Sequence, residues 1–277
     1  MKLNKFYVEN LIKQALMEDI EYVDVTTDYT IDEKQISKAY FVAKQNGVIA
    51  GLEVAMQVFK MLDEDFEYTA YKKDGDYVQI GDRIVDFKGY ATALLKGERT
   101  ALNLMQFMSG IATHTYQCVE KVKAYPCMIV DTRKTLPGLR AISKYAVCVG
   151  GGKNHRYNLS DGVMLKDNHI DAGGGIIKTV EKVRSQISFM TKVEVETRNL
   201  DEVKQALSAK ADIIMLDNMT NEEMKEAVEL INHQALVEAS GNMSLERLEA
   251  VAQCGVDIIS IGALTHSVQA FDISMKF

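Results

Sequence analysis

No apolar run in this sequence approaches the roughly 20 residues that a membrane-spanning helix needs, which excludes a helical integral membrane protein. Cysteine is scarce. Cys118, Cys127, Cys148 and Cys254 form no Cys-x-x-Cys pair and have no histidine at ligand spacing. They read as free thiols of a reducing compartment, not as a disulfide framework or a zinc site. No strand-like run is followed by Gly-x-Gly-x-x-Gly, and the run Gly150–Lys153 lacks the Ser or Thr that completes a P-loop, so both nucleotide motifs are missing. Positive charge is not in excess either. A net charge of −7 and a pI near 5.4 argue against broad adhesion to nucleic acid or anionic lipid. The N-terminal stretch is amphipathic, with Val8, Leu11, Ile12, Ala15 and Leu16 on one helical face, and has neither the apolar core nor the cleavage site of a secretion signal. The expected location is the cytoplasm.

What is present is enough apolar material for a large core: 47% of 277 residues, sufficient for one large domain or two smaller ones. Two styles of sequence divide it. From about Ile36 to Gly89, apolar alternation and glycine turns surround one helical pattern, GLEVAMQVFKML, and Asn46-Gly47 is a hairpin-type signal between two apolar runs. A long helical segment follows, which Pro126 helps to end. Thereafter short β-rich runs alternate with helical patterns: MIVDTR, GVMLKDN, KVEVET, DIIMLDN, ALVEASGN and DIISIGALT. Strand, polar tip, helix, strand is the sequence form of a parallel β/α arrangement. A barrel is preferred, with a Rossmann sheet as the alternative.

Charge is distributed unevenly over that pattern. Between Asp131 and His169 seven cations (Arg133, Lys134, Arg140, Lys144, Lys153, Arg156 and Lys166) face three carboxylates, a local +4 in a chain that carries −11 elsewhere. In β/α barrels the catalytic groups sit at the C-terminal ends of the strands. The tips here supply Arg133 and Lys134, Lys166 and Asp167, Glu194 and Glu196, Asp217 and Asn218, Glu238, Ser240 and Asn242, then Gly262. Guanidinium forks suit carboxylates and phosphates. Backbone N–H groups after the last strands commonly bind phosphate, and carboxylates can hold ribose hydroxyls, bind Mg²⁺ or stabilise a cationic sugar. An anionic acceptor, a sugar and a phosphate outline phosphoribosyl transfer. Lys144 and Lys153 read as ordinary surface charges. His155 alone would be a structural histidine, His169 would orient a loop, and His114, His233 and His266 carry no signal. Glu194 and Glu196 share a strand face by the period of two, so either could be a structural ion-pair partner. The fourteen methionines read as core fillers.

The blocks GERTALN, DTRKTLPGLR, KYAVCVGGGKNHRYNLSDGVMLKDNHI, VEVE, LDN and EASGN resemble the quinolinate phosphoribosyltransferase family, and the resemblance runs from EDIEYVDVTTD to the terminal FDISMKF. It implies an α/β fold: an N-terminal α/β sandwich over 1–110 with a C-terminal strand, 270–277, returning to it, and an incomplete parallel β/α barrel over 111–269. It also implies the reaction: quinolinate and 5-phosphoribosyl-1-pyrophosphate (PRPP), with Mg²⁺, give nicotinate mononucleotide, pyrophosphate and CO₂. By the same resemblance Arg133, Arg156, His155 and Lys134 hold the quinolinate carboxylates, and Arg99 enters the neighbouring subunit's site of a homodimer. Lys134, Lys166, Glu196 and Asp217 would be the catalytic residues, with Lys166 meeting substrate anions near the transferred sugar. Glu196 and Asp217 would serve the ribose and the metal, and Ser240, Gly241, Asn242 and Gly262 the phosphate. Asn242 stands where many relatives have a second glycine. Three further readings stay open from the residues: a molybdenum-associated or nicotinate-type enzyme of the same fold, a Schiff-base aldolase using Lys134 or Lys166, and a nucleic-acid patch.

Overall fold

The structure is a computed structural model that describes residues 1–277. Its chain divides into two compact units: residues 1–116, 136–151 and 267–277, and residues 117–135 and 152–266. No helix is long and apolar enough to cross a membrane.

The first unit begins with α1 (Lys5–Asp19), capped by the Asn4 side chain and burying Val8, Ile12 and Leu16, the face expected from the sequence. After a single turn, α2 (Thr27–Thr30), come β1 (Ile36–Ala43), β2 (Gly47–Val48), α3 (Leu52–Leu62), β3 (Glu67–Ala70), β4 (Tyr77–Val78), β5 (Arg83–Tyr90) and the 32-residue helix α4 (Ala91–Val122). The last strand of the chain, β12 (Ile273–Lys276), pairs antiparallel with β1 and completes a four-stranded sheet of order β12-β1-β5-β3. Alternate residues Ala39, Phe41 and Ala43 of β1 face the core. There Phe41 and Phe59 both lie 5.1 Å from Phe87, edge-on and stacked respectively.

Asn46-Gly47 does not make a hairpin. β1 pairs with β5 and β12, whereas β2 pairs with β4. The glycine serves a close approach: a Cβ at Gly47 would stand 2.5 Å from Thr113 Oγ1 and 2.7 Å from Phe271. Lys144, read as a surface charge, is fully buried on α5 (Arg140–Val149), a helix that also buries Ala141, Ile142, Ser143, Ala146 and Val147. Burying an ammonium together with its stem is costly unless the charge is paired and hydrogen-bonded within the fold.

The second unit is a six-stranded parallel sheet, built from β6 (Met128–Val130), β7 (Val163–Leu165), β8 (Val193–Thr197), β9 (Ile213–Asp217), β10 (Leu236–Ser240) and β11 (Ile258–Ser260). Its order is β6-β11-β10-β9-β8-β7. Neighbours in space are neighbours in sequence except where β6 meets β11, so the strands run round a barrel left unclosed between β6 and β7. That cyclic order excludes the Rossmann alternative, which needs a reversal of strand order. The connecting helices are α6 (Asp167–Gly173), α7 (Ile176–Arg184), α8 (Leu200–Ser208), α9 (Asn221–Ile231), α10 (Leu248–Ala252) and α11 (Ala263–His266). Local chemistry fixes where some begin: Asn199 caps α8, and Thr220 with Glu223 forms a reciprocal capping box on α9. The four cysteines are free.

Candidate active site

At the C-terminal ends of these strands lies a cavity of about 980 Å³. Arg133 and Lys134 reach it from the loop after β6, Arg156 and His155 from the segment before β7, and Lys166 from the end of β7. Glu196 of β8 and Asp217 of β9 line the same opening, as do Ser240, Gly241, Asn242 and Gly262 beyond β10 and β11. Eleven of the twelve residues singled out from the sequence therefore share one mouth. The twelfth, Arg99, lies exposed on α4 in the first unit, outside the cavity lining, with no ion-pair partner. Lys153 is exposed and also outside the lining.

Two sequence blocks 20 residues and more apart meet because Asp131, fully buried at the end of β6, holds the second block against the first. Its Oδ1 accepts from the His155 backbone N–H at 2.9 Å and its Oδ2 from Asn154 Nδ2 at 2.6 Å. Lys153 N–H donates to Ile129 O at 2.9 Å, extending the strand edge by one bridge. Arg156 then projects into the cavity while its Nη1 donates to Gly162 O at 2.9 Å. Burial, and next the nearby Arg133 charge, lower the Arg156 pKa below the ordinary arginine value. Two guanidiniums held this close repel each other until an anion lies between them, so the wall is built for a negatively charged ligand.

Across the mouth, Lys166 Nζ is ion-paired with Glu196 Oε2. The Lys166 backbone N–H donates to His169 Nδ1 at 3.1 Å, giving His169 the loop-orienting place expected of it. Asp217 Oδ2 accepts from Asn218 Nδ2 at 2.8 Å. The glycine-rich tip after β10 is tightly made: Gly241 adopts φ +93° and a Cβ there would stand 2.2 Å from Asn218 Oδ1. Asn242 takes the left-handed φ of 49° that a glycine would adopt without strain, and its Nδ2 lies 3.3 Å from Asn218 Oδ1. Asparagine is among the residues that tolerate this region. Arg247 braces the tip from behind, donating to Gly241 O and to Met219 O at 3.3 and 2.8 Å.

Several lining residues carried no signal of their own in the sequence. His266 closes the cup beside Gly262, whose added Cβ would lie 3.2 Å from the imidazole. The signal available was spacing: Gly262 O accepts from His266 N–H, one helical turn on. Met164 and Met215, read as core fillers, form apolar lining. Glu238 lies beneath the mouth with Glu194. His155 Nε2 stands 3.0 Å from Glu194 Oε2 and 3.3 Å from Glu238 Oε2, with Glu238 fully buried. Burial opposes charge on His155 and its hydrogen bonds to Glu194 and Glu238 favour it, while the Arg156 N–H at Nδ1 selects the neutral ring with its proton on Nε2. Burial chiefly, and Glu238 further, raise the pKa of Glu194.

An unclosed β/α barrel whose strand tips gather cations, two carboxylates and a glycine-rich cup defines an enzyme for anionic small molecules. The chain belongs to the quinolinate phosphoribosyltransferase family. The family model described as Quinolinate phosphoribosyl transferase, N-terminal domain, matches residues 24–109, and that of the C-terminal domain matches residues 111–276. The chain is 42% identical over 273 residues to the probable nicotinate-nucleotide pyrophosphorylase (carboxylating) of Bacillus subtilis, covering 99% of this chain and 94% of that one. It is 45% identical to the chloroplastic nicotinate-nucleotide pyrophosphorylase (carboxylating) of Arabidopsis thaliana, with coverages of 96% and 81%. Its fold matches the crystal structure of NadC from Streptococcus pyogenes with a TM-score of 0.97 at 40% identity, covering 100% of this chain and 98% of that one.

Proposed function

We propose that this chain transfers the phosphoribosyl group of PRPP to quinolinate and releases CO₂, giving nicotinate mononucleotide and pyrophosphate for NAD synthesis. The observation that carries the reading is the convergence of Arg133, Arg156 and Lys166 on one cavity with Glu196 and Asp217, in a chain of this family. A pyridine dicarboxylate needs two anion sites beside a polar sugar site, and the mouth offers both. Arg133, Arg156 and Lys134 take the acid. Lys166 and Glu196 face the sugar, and Ser240, Gly241, Asn242 and Gly262 receive its phosphate.

Glu196 and Asp217 are hard oxygen donors at one mouth, and Asp217 is engaged by a neutral amide, so the pair fits Mg²⁺. Bound with PRPP, Mg²⁺ supplies charge neutralisation for the departing pyrophosphate. The protein's own part is positioning and electrostatics. As the C1–O bond breaks, the pair of electrons leaves with pyrophosphate and Glu196 stabilises the oxocarbenium-like carbon. The pyridine nitrogen closes the new C1–N bond. That nitrogen, now cationic, stabilises the electron pair left on the ring carbon when the adjacent carboxylate departs as CO₂, and a proton takes its place. No triad is required. At Lys166 the aldolase reading is disfavoured because the ammonium is committed to Glu196 rather than set in apolar surroundings.

Arg99, exposed and unpaired in the first unit, is assigned to the site of a partner subunit, which makes a homodimer part of the proposal. So is a cytoplasmic location. The test of the whole is release of labelled CO₂ from carboxyl-labelled quinolinate by the purified protein. Release is expected only with PRPP and Mg²⁺ present, and with nicotinate as a far poorer acceptor. Absence of release, or equal use of nicotinate, refutes the assignment.

A further inference from the structure

The group beneath the cationic wall has a polar account that does not balance. Glu238 is fully buried, and its one contact to a donor is His155 Nε2, 3.3 Å from Oε2; Glu238 Oε1 and Glu194 Oε1 have no hydrogen-bond partner. Burying ions is costly unless their lone pairs are satisfied, and such imbalance concentrates where function requires it. Glu194 and Glu238 also stand two residues before Glu196 and Ser240 on β8 and β10. By strand period they share the inward face, one step beneath the mouth.

The three side chains are spaced closely enough to hold a metal ion, but the imidazole is turned against that use. A metal-ligating histidine donates its other ring N–H to an acceptor. Here the other nitrogen, Nδ1, accepts the backbone N–H of Arg156 at 2.8 Å. Nε2 therefore carries the ring proton and points it at the two glutamates. Each ring nitrogen faces a protein group, and the one at Nδ1 belongs to Arg156 itself. The resemblance suggested that His155 grips the acid. The geometry points elsewhere.

We infer that Glu194 and Glu238, acting through His155, position Arg156 for the aromatic acid, and that His155 meets that ligand only through the arginine. This rests on the phosphoribosyl-transfer reading for the identity of the acid. The backbone of the segment is held by Asp131 at His155 N–H, and the ring is held by the two glutamates; Arg156 follows directly from both. Glu194 and Glu238 are thus positioning residues, with no part in touching substrate.

Glu194→Gln and Glu238→Gln keep the shape of each side chain and remove its charge. Each is expected to raise KM for quinolinate about tenfold while KM for PRPP stays within about twofold. The double variant His155→Asn/Glu238→Gln should be no worse than His155→Asn, because residues acting as one unit are non-additive. Equal rises in both KM values overturn the proposal. So does loss of quinolinate affinity in His155→Asn with both glutamate variants unaffected, which would make His155 a direct contact. Should the variants fail to fold, nitrogen-15 NMR of the histidine rings in the unaltered protein decides. The Nε2–H pattern is expected for one ring before and after saturation with quinolinate. Its absence from the free protein, its conversion on adding quinolinate, or one equivalent of tightly bound metal at this group defeats the inference. If the unaltered protein makes no product from quinolinate, the functional reading fails, whereas the ring pattern of the free protein still tests the geometry.

Discussion

Arg133 and Arg156 lie 23 positions apart in the chain, line one cavity, and are close enough that the charge of the first lowers the pKa of the second. Without an anion between them the pair is repulsive. Arg133→Ala or Arg156→Ala is therefore expected to weaken quinolinate binding by about 2–5 kcal/mol, the usual loss for one partner of a buried charge contact. PRPP binding should change much less. Calorimetric titration with each substrate measures both, and equal losses would dissolve the division of labour proposed for the mouth.

Lys166 and Glu196 form an ion pair at the same cavity. If Glu196 stabilises a positive sugar carbon, Glu196→Gln should lower kcat by about 10²–10³-fold, the range for removing one transition-state electrostatic contact. Its effect on KM for quinolinate should be small. A double-mutant cycle with Lys166→Met is expected to give non-additive losses, since contacting residues couple. Single-turnover rates provide the readout.

The Gly241 backbone is the tightest point of the cup: φ is +93° and a Cβ would collide with Asn218. Gly241→Ala is expected to raise KM for PRPP by an order of magnitude or more (roughly 1.4 kcal/mol per tenfold) with little change in KM for quinolinate. Asn242→Gly removes the left-handed strain at φ 49° and should leave PRPP use near that of the unaltered enzyme. Steady-state kinetics with each substrate varied in turn separates the two effects.

Arg99 tests the oligomeric part of the proposal. Arg99→Ala and Arg133→Ala proteins should each be nearly inactive alone. Mixed and allowed to exchange subunits, they should regain up to about a quarter of the activity per site expected for random mixed dimers with one intact site. No recovery in demonstrated mixed dimers would remove Arg99 from the partner's site.

Cys118 is buried, and burial pushes its thiol up to about 12. The folded state therefore keeps this proton where the unfolded chain releases it. Its influence on stability is absent below the unfolded thiol's range and turns unfavourable as pH rises from there towards 12. At pH 8 the thiolate fraction is on the order of 10⁻⁴. Mass spectrometry after iodoacetamide treatment at that pH should find Cys118 unlabelled in the native protein and labelled after unfolding. Native labelling would mean that the site opens.

Much of the second unit could be read from the sequence because its elements are local. Runs such as KVEVET and DIIMLDN became β8 and β9, and the polar tips fell at the strand ends as the β/α pattern requires. The first unit was harder. Asn46-Gly47 resembles a turn, yet the contacts that demand glycine there come from Thr113 and Phe271, far along the chain. Lys144 gave the opposite error: its charge said surface, and the packing around α5 buries it. The candidate site divides in the same way. Cations and carboxylates at strand tips, Glu238 among them, were visible, but the parts played by Glu238, Asp131 and His266 were not, because those depend on which strand lies beside which.

By itself the sequence determined the alternation of strand and helix, the charges at the strand tips and the family of the chain. Each of these is written in residue type and short-range spacing. Only the tertiary structure decided that Arg133 and Arg156 line one cavity, that Asp131 joins their two segments, and that both ring nitrogens of His155 are turned towards the protein. Those are long-range pairings, fixed when parallel strands close around a common axis, and the local sequence places no constraint on them.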